Sequence, residues 1–65
     1  SIRLGEWCEA VGVLKEVAET DERGYHAVVG PVSVMIPTEL AETLREHVGK
    51  RVGILRTDQG YRWRL

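Results

Sequence analysis

The stretch IPTELAETLREHVGKRVGIL, residues 36–55, decides the fold, because it has a start, a period, a stop and an exit. Thr38 is an N-cap type whose hydroxyl can accept one of the orphan N–H groups of a first helical turn. Leu40, Ala41, Leu44 and Val48 recur at spacings of three and four, which puts them on one helical face. Glu39, Glu42, Arg45 and Glu46 fall off that face, and Glu42 with Arg45 or Glu46 with Lys50 are spaced to pair. Gly49 supplies the left-handed residue that closes helices, with Lys50 and Arg51 where the helix dipole favours cations. Val52, Gly53, Ile54 and Leu55 then leave as a strand. The reading is an amphipathic helix over 38–48, set between strands, whose single apolar stripe must cover a sheet.

The flanking sequence reads as those strands. VSVMI (32–36) alternates, with Val32, Val34 and Ile36 inward and Met35 outward. Gly30 and Pro31 separate it from YHAVVG (25–30), and Pro31 places a corner or an edge there. TDERG (20–24) is a polar turn ending on a glycine. AVGVLKEVA (10–18) reads as a long bent strand with Val11 and Val13 on its inner face and a bulge or bend at Gly12. A helix over 10–22 competes, and the valines and Gly12 decide against it. After the helix come a strand over 52–57, a tight loop at Asp58-Gln59-Gly60, and a last strand over 61–65. In that last strand Tyr61, Trp63 and Leu65 alternate with Arg62 and Arg64. The expected inward set is Val11, Val13, Val29, Val34, Ile36, Leu40, Leu44, Val48, Val52, Ile54 and Trp63. Residues 1–9 read as an N-terminal extension, a lid or a short strand.

The order is strand, strand, strand, helix, strand, strand in a mainly β chain. It resembles the OB-fold, the small five-stranded Greek-key barrel with a helix between its third and fourth strands. The resemblance rests on element order over residues 10–65, not on a motif. An SH3-like barrel is the rival, but it does not normally carry a three-turn helix at that point. The resemblance implies a ligand across strands two and three, flanked by the loops after strands one and four. In this chain that means Tyr25, His26, Val28, Ser33 and Met35, with Arg56, Arg62 and Arg64 near the second loop.

Composition bounds the rest. Sixty-five residues make a single small domain, which buries only roughly 60% of its unfolded surface. Cys8 is the one cysteine, which argues against a disulfide-stapled secreted scaffold and leads us to expect a reducing, cytoplasmic setting. No apolar run approaches membrane-spanning length and no leader pattern is visible, so no membrane role is expected. The Ser1 start and the strand-like end also fit a domain excised from a larger protein. Net charge is −1 but unevenly spread, with −5 over residues 1–49 and +4 over residues 50–65.

Chemistry-bearing motifs are scarce. Cys8, His26 and His47 stand at no zinc-ligand spacing, so neither metal nor cofactor is expected. Cys8 lies between Glu6 and Glu9 with no neighbouring cation to favour a thiolate. His47 reads as a surface residue near the helix end. Gly49-Lys50 is a helix stop rather than a phosphate loop, since the rest of that motif is missing. No carboxylate pair is placed for acid–base work, and an enzyme is not expected.

A non-enzymatic binding module is the expectation. Single-stranded DNA or RNA would be held by Arg56, Arg62 and Arg64 on phosphates, with Tyr25 or His26 stacking on bases. Against it, Glu19, Asp21 and Glu22 in the first loop repel a phosphate backbone. The alternative is a protein-interaction or assembly domain, or a homodimer, using Met35, Leu55 and Trp7 as an outward apolar patch. In that case the arginines only keep an edge strand soluble.

Overall fold

A computed structural model describes residues 1–65, and its organising strand is β1 (Glu9–Glu19). This strand is shared between two ladders. Its first half pairs antiparallel with β4 (Arg51–Thr57), and its second half with β2 (Tyr25–Val29). β2 pairs onward with β3 (Val32–Ile36), and β4 with β5 (Gly60–Arg64). The result is a five-stranded antiparallel sheet in the order β3-β2-β1-β4-β5. It is not closed into a barrel, since β3 and β5 are its two ends and share no ladder.

One helix, α1 (Thr38–Leu44), follows β3 and buries Leu40, Ala41 and Leu44. Those three join Leu4, Leu14, Ala27, Val29, Val34, Ile36, Val52 and Ile54 in one apolar cluster. Pro37, not Thr38, holds the N-cap position, and no side chain caps the helix there. The Pro37 carbonyl instead accepts from the Ala41 N–H at 3.0 Å. Proline suits that place because the first turn's N–H groups lack intrahelical partners anyway.

The expected core fails at Val48 and in β1, each time for a local reason. The helix tightens into a 3₁₀ turn over Arg45–His47. A turn of three residues instead of 3.6 rotates the chain beyond it, so Val48 leaves the buried stripe and is 48% exposed. Gly49 does take the left-handed conformation, with φ +96°.

In β1 the irregularity lies at Lys15, where the register with β2 shifts, and not at Gly12. Ala10, Gly12 and Leu14 therefore point inward together, and the bulge restores Val17 to the same side. Val11 and Val13 consequently face out, 41% and 44% exposed, while Leu14 is fully buried. Gly12 is the crossing point of two chain segments. A Cβ there would stand 3.0 Å from the Gly30 nitrogen and 3.1 Å from its Cα.

Residues 1–8 form a strap across one end of the sheet. Ile2 bridges Val34 in parallel and takes the outer edge of β3, donating to the Ser33 carbonyl and accepting from the Met35 N–H, both at 2.8 Å. Leu4 is buried, and its carbonyl accepts from the Arg56 guanidinium at 2.8 Å. The Arg56 N–H donates to the Cys8 carbonyl at 3.0 Å, which carries the strap into β1. Trp63, expected in the core, is half-buried beneath His47, with ring centroids 4.9 Å apart. His47 is thus a packing residue rather than a surface one, and its Nδ1 is enclosed without a partner.

Candidate interaction surface

Directly opposed residues in neighbouring strands share a sheet face. Three rows therefore cross the outer face of β1, β4 and β5: Glu9–Leu55–Arg62, Val11–Gly53–Arg64 and Val13–Arg51. This gathers three aliphatic side chains, Val11, Val13 and Leu55, with three exposed arginines, Arg51, Arg62 and Arg64. Gly53 forms the floor of the middle row. Glu9 and Arg64 cross it as an ion pair, Nε to Oε2 3.2 Å.

The arginines expected to act together are divided. Arg56 pairs with Tyr61 and lies on the inner side of β4, where its guanidinium holds the strap. Arg64 is engaged by Glu9. Arg62 is exposed and has no side-chain partner. Arg51, outside the terminal hairpin, completes the basic row because the β1–β4 register sets it opposite Val13. Sequence reasoning missed it, although the alternation of β4 carries the signal, since Arg51, Gly53 and Leu55 share parity.

Tyr25 and His26 stand apart from these arginines, on β2 and across β1 from β4. Tyr25 lies opposite Ile36 on the inner face, half-buried, with the Arg45 guanidinium 5.3 Å from its ring centre. His26 faces out, and its Nδ1 is 3.1 Å from the Ser1 hydroxyl, which also meets the Ser33 hydroxyl at 3.0 Å. Beside them opens a cavity of about 560 Å³, lined by Glu19, Asp21, Glu22, Tyr25, His26 and Met35 among others. Three carboxylates at its rim make this region unfavourable to a phosphate backbone.

Of the apolar residues expected as one patch, Trp7 and Leu55 stay together while Met35 lies elsewhere. Trp7 is 65% exposed with φ +63° and shares a cleft of about 410 Å³ with Leu55, Tyr61 and Arg62. Met35 lies on β3 and lines a smaller cleft of about 240 Å³ with Arg3, Ile36, Pro37 and Tyr61. Tyr61, read from the sequence as an aromatic alternating with the arginines of the last strand, lines both clefts. No protein-family model, curated protein or solved structure matches this chain. No helix is long and apolar enough to cross a membrane.

Proposed function

We propose that this chain is a non-enzymatic protein-interaction module whose working surface is the outer face of β1, β4 and β5. One observation carries the reading: exposed Val11 and Val13, with half-buried Leu55, form an aliphatic centre rimmed by Arg51, Arg62 and Arg64. An apolar centre with arginines and few other charges is the make-up of protein interfaces. We read the fold as OB-like, since its strand order is that of such a barrel opened between β3 and β5, and these barrels are often partly open. A lone cysteine supports a reducing compartment such as the cytoplasm.

The test is affinity capture from host-cell lysate with three baits: the unaltered chain, a Val11→Asp/Leu55→Asp double variant, and Glu42→Lys on the exposed helix face. The expected result is a protein retained by the first and third baits and lost from the second. Equal capture by all three overturns the reading.

A second reading, binding of single-stranded DNA or RNA, is favoured by the exposed Trp7 indole in one cleft with Arg62. Titration with labelled oligo-dT and oligo-U separates the two. Nucleic-acid binding requires affinity that falls by roughly 0.7 log units per contacted phosphate for each decade of salt. Absence of binding at low salt removes it.

A further inference from the structure

The sheet has two ends, and the protein treats them differently. At β3 the outer backbone groups of Ser33 and Met35 are taken by Ile2. At β5 no strand, strap or loop makes a backbone hydrogen bond to the outer side of Gly60–Arg64. A row of free N–H and C=O groups of this kind is a template for pairing with another chain. We propose that the β5 edge takes up an extended acidic segment of a partner protein as a sixth strand.

The flanking side chains set the partner's chemistry. On the outer face the edge presents Arg62 and Arg64, and on the inner face Tyr61 and Trp63, both half-buried. An added strand places alternate residues beside each pair, so the matching segment alternates carboxylates with apolar side chains. A second copy of β5 is a poor occupant, because antiparallel pairing about a two-fold axis sets arginine against arginine. Glu9 shows what the site accepts: its carboxylate already holds Arg64 from the β1 side. The partner's carboxylates then approach Arg62, which has no side-chain partner, and compete with Glu9 for Arg64. This inference rests on the protein-interaction reading above and adds the backbone edge and the partner's pattern to it.

The test uses a fluorescent eight-residue peptide alternating Glu with Val, read by anisotropy. Its controls are a peptide of the same composition with the glutamates in one block, and an alternating peptide N-methylated at every second backbone nitrogen, in both phases. The alternating peptide is expected to bind at least tenfold more tightly than the blocked one and than one phase of N-methylation. Arg62→Gln, at an exposed position and checked for fold by circular dichroism, should weaken it several-fold. Glu9→Gln should strengthen it by twofold or more. Binding that survives both N-methylated phases overturns the added strand while leaving the outer-face reading intact. Absence of binding up to millimolar peptide also overturns it. Displacement of bound peptide by oligo-dT at low salt, with tighter binding of the oligonucleotide, overturns both readings in favour of nucleic acid.

Discussion

The Arg64 Nε stands 3.2 Å from the Glu9 Oε2, and the pair lies across Gly53, where a Cβ would come within 2.6 Å of that carboxylate oxygen. The absence of a side chain on β4 thus lets two strands that do not pair, β1 and β5, touch through their side chains. The atoms in the way belong to flexible chains on the surface, not to backbone. We therefore expect Gly53→Ala to displace the ion pair at little cost. An exposed pair contributes about 0–1 kcal/mol, and replacing a strand glycine by alanine returns about 0.5–1 kcal/mol. Urea unfolding should place the variant within about 1 kcal/mol of the parent. A loss well beyond that would mean the pair organises the face.

Gly12→Ala should behave oppositely. Its Cβ would meet the Gly30 nitrogen at 3.0 Å and the Gly30 Cα at 3.1 Å, both backbone atoms. One of the two chain segments must shift, and overpacking of this kind costs about 1–3 kcal/mol. A variant as stable as the parent would show that the crossing is loose.

The phase of β1 is tested by a neighbouring pair. Leu14 is fully buried and Val13 is 44% exposed. Leu14→Ala should cost about 2–5 kcal/mol, which threatens folding of a domain this small. Val13→Ala should stay within about 0.5 kcal/mol. Similar losses at both positions, measured by thermal or urea unfolding, would put the bulge elsewhere than Lys15.

These contrasts mark how far the sequence is legible. Element order, five strands and a helix beginning at Thr38 come from periodicity and from the punctuation of Gly24, Gly30-Pro31, Gly49 and Asp58-Gln59. The buried face of β1 cannot be read that way, because a single bulge inverts it. Gly12 is an equally good bulge candidate by type, and only the Gly30 backbone crossing it reveals its role. The site is harder still. Arg56, Arg62 and Arg64 are alike as residue types. Their division between strap anchor, surface arginine and ion pair depends on strand parity and on two partners remote in sequence, Leu4 and Glu9. Arg51 lies in the parity of β4, yet beside Gly49 it reads first as a helix-end cation.

Arg56 carries the last prediction, because it joins the strap to the sheet. Its guanidinium donates to the Leu4 carbonyl at 2.8 Å, and Leu4 is 7% exposed, so that carbonyl loses its side-chain donor when the charge is removed. Arg56→Met keeps most of the aliphatic stem against Tyr61 and removes the donor. A hydrogen bond to a charged group contributes about 1.5–3 kcal/mol, and partial exposure puts this one near the lower end. Arg62→Met, at an exposed residue without such a partner, should shift stability by no more than about 0.5 kcal/mol. Amide hydrogen exchange adds a readout that a general loss of packing would not give. The Met35 N–H, which the strap protects through the Ile2 carbonyl, should exchange faster in Arg56→Met. The β1–β4 ladder amides should keep their protection apart from the small global change. Uniform acceleration across the sheet would show that Arg56 supports the whole fold, and unchanged exchange at Met35 would show that the strap is held without it.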